Sequence, residues 1–110
     1  MLKVDKNGII HLTRGDTAHF IVEIAHNDGV YEPERGDELT FSVKKSTRAE
    51  DFIIQKKFKP AEVLVLNPED TKNVVFGRYI YDVQLSKHNG EIYTIVEPTY
   101  FYIKEEITNG

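Results

Sequence analysis

The sequence predicts an all-β fold, because short stretches of alternating apolar and polar residues are separated by frequent glycine turns. The clearest stretch is residues 76–96, where a strand after Gly77, an Asn89-Gly90 turn and a returning strand form an antiparallel hairpin. This hairpin is rich in tyrosine and β-branched residues, which favour strands. Further glycine turns are predicted at Asn7-Gly8, Asp28-Gly29, Arg14-Gly15-Asp16 and Arg35-Gly36-Asp37.

The predicted strands carry their apolar residues on one face. In residues 39–44, Leu39, Phe41 and Val43 alternate with polar side chains, and residues 20–25 show the same period of two. About eight strands, with turns roughly every eight to twelve residues, predict a sandwich of antiparallel strands. The strands are expected at residues 20–25, 39–44, 52–58, 62–66, 78–86, 91–96 and 100–107, with an interruption at Pro98.

One short helical turn is predicted near residues 68–74. Asn67 is a good N-cap, Pro68 suits the first helical position, and Glu69 and Asp70 place negative charge in the first turn. The next predicted strand follows closely, so the helix has room for little more than one turn.

Length and composition indicate one domain over residues 1–110 with a core of its own. The chain has no cysteine, which excludes disulfides and thiolate metal sites. Its formal net charge is -4 and its 14 Lys and Arg are scattered, so we expect no nucleic-acid partner. The sequence shows no signal peptide and no apolar segment of membrane-spanning length, so we expect a soluble protein with no membrane partner.

The four histidines, His11, His19, His26 and His88, lack the compact spacing of metal ligands. His26, with Asp28 in the same predicted turn, is the pair best placed to hold an ion weakly. We predict no metal site and no cofactor, and we interpret the histidines as solvated side chains near strand ends.

The sequence contains no recognisable catalytic motif. It has no cysteine nucleophile, no Gly-x-Ser-x-Gly and no glycine-rich phosphate loop. The carboxylates Asp16, Asp37 and Asp82 could gather at one end of the fold as a general acid–base group. Asp82, however, lies on the strand face opposite Tyr79 and Tyr81, where we expect it to be solvated. We predict no catalytic residues and no enzymatic activity.

The tripeptide Arg-Gly-Asp occurs twice, at residues 14–16 and 35–37, each time just before a predicted strand. It can mediate cell adhesion, but it is also an ordinary tight turn in which glycine takes a positive φ and aspartate accepts backbone N–H bonds. The similar strands that follow indicate an internal repeat of one turn-plus-strand unit. Without a signal peptide or disulfides, we interpret both copies as turns.

Gly77 and Tyr79 form a predicted structural corner. Tyr79 lies at the start of a strand, directly after a short turn and a glycine, as does the corner tyrosine of immunoglobulin-like sandwiches. In that corner the hydroxyl donates a hydrogen bond to the backbone of the preceding crossover. The predicted fold is therefore an immunoglobulin-like antiparallel β-sandwich, in which Tyr79 has a structural role.

Three further tyrosines, Tyr93, Tyr100 and Tyr102, lie on the C-terminal strands and form a candidate interaction surface. One face of these strands should be wet, so a tyrosine-rich patch is expected to be exposed. Clustered exposed aromatic residues favour protein contact or sugar stacking. Tyrosines with buried rings and wet hydroxyls are the alternative.

Several motifs follow one another in a distinctive order. Residues 13–20 read Thr-Arg-Gly-Asp-Thr-Ala-His-Phe, residues 36–45 Gly-Asp-Glu-Leu-Thr-Phe-Ser-Val-Lys-Lys, residues 67–71 Asn-Pro-Glu-Asp-Thr, residues 77–85 Gly-Arg-Tyr-Ile-Tyr-Asp-Val-Gln-Leu, and residues 94–98 Thr-Ile-Val-Glu-Pro, after the Asn-Gly turn at 89–90. Over residues 9–107 this order resembles a family of small phage and prophage β-sandwich proteins, similar to the N-terminal domain of the phage baseplate upper protein.

The resemblance implies a non-enzymatic structural or adaptor role in a phage tail or baseplate. Its partners would be other phage structural proteins or copies of itself, in an oligomer. The protein would be made in the bacterial cytoplasm and assembled into a virion. The family offers no catalytic residues, and its baseplate members continue into further domains, so a small standalone assembly or decoration protein is the expectation.

Two other functions stay open on the sequence. One is a carbohydrate-binding β-sandwich module in which Tyr93, Tyr100 and Tyr102 are stacking platforms. The other is a small hydrolase built on acidic loop residues.

Overall fold

The computed structural model describes residues 2–4, 7–26 and 29–107. Within these ranges the prediction of an all-β fold is confirmed, since strands account for most of the regular structure and the one helix is a short turn. The strands are β1 (Lys3–Val4), β2 (Ile10–Thr13), β3 (Ala18–Phe20), β4 (Ala25–His26), β5 (Gly29–Val30), β6 (Glu38–Lys44), β7 (Ile54–Phe58), β8 (Leu64–Leu66), β9 (Gly77–Ser86) and β10 (Ile92–Lys104), and the helix is α1 (Pro68–Thr71).

The main sheet has six strands in the order β1-β2-β10-β9-β6-β7 and curls into a half-barrel. Two small ribbons, β3 with β8 and β4 with β5, complete the pairing among the described residues. The expectation of purely antiparallel pairing is wrong at one place, because β2 and β10 run parallel, with His11 opposite Tyr102. Parallel neighbours need a long connection, and most of the chain lies between these two strands.

The core lies between the main sheet and the β3–β8 ribbon. Leu39, Phe41 and Val43 of β6 all point inward, as their alternation predicts. From the ribbon, Leu64 and Leu66 join the same buried cluster. The ribbon therefore covers the inner face of the sheet and leaves the outer face uncovered by any described element.

Strand β10 differs from the expected pair of strands separated at Pro98. It is one strand of 13 residues, with register shifts against β9 between Thr94 and Val96 and between Val96 and Thr99. Proline has no N–H to donate, so it is tolerated in a sheet where the ladder is irregular. The interruption that the sequence indicates is thus an irregularity within a continuous strand.

The predicted helical turn is present but shorter than residues 68–74. The backbone N–H of Asn67 donates to Oδ2 of Asp70 over 2.7 Å, which is half of a capping box. The backbone N–H of Lys72 donates to the carbonyl of Pro68, and a further turn carries the chain towards β9. Both Arg-Gly-Asp segments form turns, as predicted. The predicted turn at Asp28-Gly29 cannot be compared, because Asp28 is outside the described residues.

Candidate functional site

Tyr100 and Tyr102 lie together on the outer face of the main sheet. In the β9–β10 register Tyr100 is opposite Ile80 and Tyr102 is opposite Arg78, while the intervening Phe101 is opposite the buried Tyr79. The two tyrosine rings are 6.2 Å apart between centroids. The alternation along β10 therefore places this part of the candidate interaction surface away from the core.

Neighbouring strands hold both rings in place. The imidazole of His11 stacks on Tyr102 with a centroid distance of 4.9 Å and an interplanar angle of 5°. The guanidinium of Arg78 lies over the ring of Tyr100, 4.7 Å from its centroid. We call the four residues His11, Arg78, Tyr100 and Tyr102 the aromatic platform. Within it, the Nδ1 atom of His11 is buried and makes no hydrogen bond to a described residue.

Tyr93 is not part of this platform. It is opposite Leu85, whose side chain points into the core, so Tyr93 is on the other face of the sheet from Tyr100. It lies at the hairpin end, where it is 49% exposed and its hydroxyl donates to Oε2 of Glu91 over 3.0 Å. That bond raises the pKa of Tyr93, and the hydrogen bonds from Asn89 and Tyr93 lower the pKa of Glu91.

The predicted structural corner has the expected geometry. Tyr79 is buried at the start of β9, and its hydroxyl donates to the backbone carbonyl of Val75 in the preceding crossover. Gly77 has a φ of +154°, a conformation that residues with a side chain rarely adopt. A second buried tyrosine, Tyr81, donates to the carbonyl of Gly8 and ties the segment before β2 to the same strand.

The first Arg-Gly-Asp turn holds one end of the sheet. The backbone N–H of Asp16 donates to the carbonyl of Thr13, and Gly15 has a φ of +84°, so the turn interpretation is confirmed. The N–H of Gly15 donates to Oγ1 of the buried Thr71 in α1, over 2.8 Å. Arg14 donates two hydrogen bonds to the Glu106 carboxylate, from Nη2 to Oε1 over 2.7 Å and from Nε to Oε2 over 3.0 Å. This bidentate pair lowers the pKa of the Glu106 carboxyl.

The second Arg-Gly-Asp turn holds the opposite end through its aspartate. Gly36 has a φ of +95°, and the turn closes with a 3.0 Å bond from the N–H of Asp37 to the carbonyl of Glu34. The carboxylate of Asp37 is buried and accepts hydrogen bonds from the N–H of Glu34, the N–H of His88, the ammonium of Lys87 and the hydroxyl of Tyr31. The turn is thereby fastened to the β9–β10 loop.

The charges of this cluster stabilise one another. The bond from Tyr31, together with the two backbone N–H bonds, holds the pKa of the Asp37 carboxyl far below its usual range. Burial and the bond to Asp37 raise the pKa of Tyr31 to about 12. Hydrogen bonds to Glu34 and Asp37 raise the pKa of Lys87 above its ordinary value. Asp37 is therefore ionised and fully paired, which suits a structural role.

The sequence did not indicate this cluster. The residues around Asp37 predict only a turn, and its partners Lys87 and His88 follow it by about fifty residues. His88 is exposed, as expected, and its two ring nitrogens lie 3.4 Å from Asp37 and 3.6 Å from Glu34. The sequence gives little indication of this pairing, because a lysine beside a hairpin turn is common on protein surfaces.

The three carboxylates considered for acid–base chemistry do not gather. Asp16 follows the end of β2 that lies beside Lys104, whereas Asp37 binds the hairpin loop at the other end of the sheet. Asp82 is opposite Ser42 on the outer face, five residues along β6 from Asp37, or about 17 Å. Asp82 lies on the predicted face but is half-buried rather than solvated, and burial raises its pKa.

The other histidines form no metal site among the side chains that the structure describes. His19 is exposed, His11 is part of the aromatic platform, and the side chain of His26 and all of Asp28 are outside what the structure describes. Across residues 2–4, 7–26 and 29–107, no three His, Cys, Asp or Glu side chains are grouped so that they could hold an ion. In the same ranges no helix is long and apolar enough to cross a membrane.

Comparison with known proteins gives no family. No protein-family model, no curated protein and no solved structure matches this chain.

Proposed function

We propose that this chain is a non-enzymatic phage or prophage structural protein, an assembly or adaptor module of the tail or baseplate type that acts through protein–protein contacts. The observation that carries the proposal is the aromatic platform on the uncovered face of the main sheet. The order of sequence motifs supports the phage setting, in which the protein is made in the bacterial cytoplasm and assembled into a virion.

The composition of the platform favours protein contact. Tyrosine and arginine are enriched in the buried centres of protein interfaces and dominate their binding energy. Here Tyr100 is 37% exposed, Arg78 is exposed beside it, and Tyr102 adds a half-buried ring. Because His11 and Arg78 already hold the two rings, little side-chain freedom remains to be lost on binding.

The immunoglobulin-like form of the fold belongs to the same proposal. Two features support it: the corner hydrogen bond from Tyr79 to Val75, and the sharing of one core by the main sheet and the β3–β8 ribbon. In such a fold the end loops and the uncovered sheet face are the surfaces open to partners.

A carbohydrate site on the three tyrosines is less well supported. Arg78 covers one face of the Tyr100 ring and His11 covers one face of Tyr102. Tyr93 lies on the other face of the sheet, so the three rings do not form one stacking surface. The platform is therefore better suited to a protein surface than to a row of sugar rings.

Incorporation into phage particles tests the proposal. Tail particles would be purified from the bacterium that carries the gene, and the chain would be quantified in them by mass spectrometry. We expect wild-type protein at a fixed ratio to the tail subunits and at least a tenfold loss for a Tyr100→Ala/Tyr102→Ala variant. Tyr93→Ala is the matched control, since it removes an exposed tyrosine from the other face. Absence of wild-type chain from the particles would contradict the phage setting, and equal incorporation of the double variant would contradict the platform.

A further inference from the structure

A polar groove of about 480 Å³ lies on the outer face of the main sheet, on the β6, β7 and β9 side of the aromatic platform. This volume is within the range of about 300–1,000 Å³ typical of small-molecule sites. Its floor and walls are built mainly from hydroxyl, amide and charged side chains. These are Thr40, Ser42, Lys44, Gln55, Asp82 and Gln84.

The register of three adjacent strands builds this floor. On the outer face, Ser42 of β6 lies between Gln55 of β7 and Asp82 of β9 and forms one row of side chains across the strands. Two residues earlier in β6, Thr40 lies opposite Gln84 of β9 in the neighbouring row. The amide of Gln55 donates to the hydroxyl of Ser42 over 3.1 Å, which orients both groups. The rows recur at every second residue, about 7 Å apart along the strands.

Asp82 is the distinctive residue of the groove. Its carboxylate is half-buried in the middle of the sheet and accepts no hydrogen bond from any residue that the structure describes. Its oxygen atoms are still open to water, but partial desolvation weakens their hydration. Burial accordingly raises its pKa, while the charge of Lys44 opposes that rise. A ligand that brings hydrogen-bond donors to Asp82 would give its carboxylate the partners that the described residues do not provide.

We infer that this groove binds a short neutral oligosaccharide, with Asp82 accepting hydrogen bonds from sugar hydroxyls. A hydroxyl both donates and accepts, and the groove offers a pure acceptor in Asp82, a pure donor in Lys44 and dual groups in Gln84 and Ser42. The ring of Phe52, 49% exposed at the rim, has the ammonium of Lys44 over one face, 4.7 Å from its centroid, so it adds apolar surface beside a donor and is not an open stacking platform.

The charges of the groove favour a neutral ligand. Lys44 disfavours a cationic peptide and Asp82 at the centre disfavours an anion, while the charge of Lys57 is paired with Glu38 over 3.9 Å. Glycoside hydrolysis by the usual mechanism needs two carboxyl groups about 5–9.5 Å apart. Asp82 is the one carboxylate among the lining residues, so the groove binds sugar without cleaving it.

Side-chain amide signals provide a direct test. The full chain, labelled with ¹⁵N, would be titrated with cellohexaose, maltohexaose, xylohexaose and chitohexaose, and the NH₂ signals of Gln55 and Gln84 would be followed. We expect saturable shifts of both signals with at least one of these sugars and no cleavage of the sugar. Asp82→Asn should lower the affinity at least about tenfold, since a charged acceptor is lost. Glu62→Gln, which neutralises an exposed carboxylate outside the groove, should leave the affinity unchanged.

The fold of the variant is expected to survive, because Asp82→Asn removes a half-buried charge that has no hydrogen-bond donor. Should it unfold, Gln84→Ala replaces it and is followed through the Gln55 signal, with an expected loss of affinity of about three- to tenfold because a neutral hydrogen-bonding group is lost. Absence of shifts with all four sugars in folded wild-type protein would overturn the inference. Equal affinity of wild type and variant would also overturn it, as would shifts caused by a tri-lysine peptide but by none of the sugars. These outcomes do not bear on phage incorporation, which depends on the aromatic platform.

Discussion

The carboxylate of Asp37 accepts a 3.0 Å hydrogen bond from the backbone N–H of His88, 51 residues further along the chain. This contact fastens the second Arg-Gly-Asp turn to the β9–β10 loop, while the first turn is fastened through Gly15 and Arg14 at the opposite end. The repeated tripeptide thus has two different structural roles. In the first copy Arg14 and Gly15 make long-range contacts, and in the second copy Asp37 makes them.

Replacement of Asp37 by asparagine should destabilise the fold strongly. The substitution keeps the shape of the side chain but removes the charge that pairs with Lys87 and weakens four accepted hydrogen bonds. We expect the melting temperature to fall by on the order of 10 °C, measured by circular dichroism. Asp16→Asn, at the matching position of the first turn, should lower it by less than half as much. Equal losses would contradict the special role of Asp37.

Stability should decrease at both ends of the pH range. The folded-state pKa of Asp37 is depressed, so its contribution is present above the unfolded value of about 3.9 and is lost as the pH falls below it. The pKa of Tyr31 is raised to about 12, so its contribution is present below about pH 10 and is lost between about pH 10 and 12. Urea unfolding at a series of pH values measures both limbs. An Asp37→Asn variant should show a shallower acid limb, and an acid limb as steep as that of wild type would contradict this assignment.

Substitution of Gly36 by alanine should cost more than the same change at Gly15. Both residues have a positive φ, which costs an alanine about 1–2 kcal/mol. A Cβ on Gly36 would also lie 2.9 Å from the Cβ of His88, whereas a Cβ on Gly15 meets nothing within 4 Å. The crowding should add about 1–3 kcal/mol to the loss in unfolding free energy. Denaturant titration of the two variants measures the difference in unfolding free energy. Equal losses would show that the hairpin loop moves away from the added Cβ at no cost in stability.

Removal of the corner hydroxyl should have a small, measurable effect. Tyr79→Phe keeps the buried ring and deletes the hydrogen bond to the Val75 carbonyl, so we expect a loss of about 1 kcal/mol in unfolding free energy. Tyr102→Phe serves as the control, because it also deletes one phenolic hydroxyl but leaves the stacking with His11 in place. Its unfolding free energy should change by less than about 0.5 kcal/mol. Equal unfolding free energies for the two variants would show that the hydrogen bond from Tyr79 to Val75 does not stabilise the fold.

Local patterns predicted β6, β9 and the turns because the strand period and the turn residues are visible within a few residues. The strand predicted at residues 20–25 is wrong, because β3 ends at Phe20 and β4 begins only at Ala25. The inward sets of β6 and β9, the two Arg-Gly-Asp turns and the turn of helix after Asn67 all follow from neighbouring residues. The corner at Tyr79 could be predicted for the same reason, since its hydrogen bond spans four residues. Each of these features is set by the chain close to it.

Contacts between distant segments could not be predicted in this way. The parallel pairing of β2 with β10, which brings His11 onto Tyr102, joins the two ends of the chain. The sequence places Tyr93 and Tyr100 on the same C-terminal strands, but the structure places them on opposite faces. Their separation of seven residues, an odd number, places them on opposite faces, and the two register shifts do not reverse that.

The platform is tested most directly by particle incorporation of the Tyr100→Ala/Tyr102→Ala variant beside Tyr93→Ala. We expect wild type and Tyr93→Ala in purified tail particles at the same fixed ratio, and the double variant depleted at least tenfold while remaining folded in solution. Particles that contain the folded double variant at the wild-type ratio would show that the outer-face aromatic platform is not the contact surface.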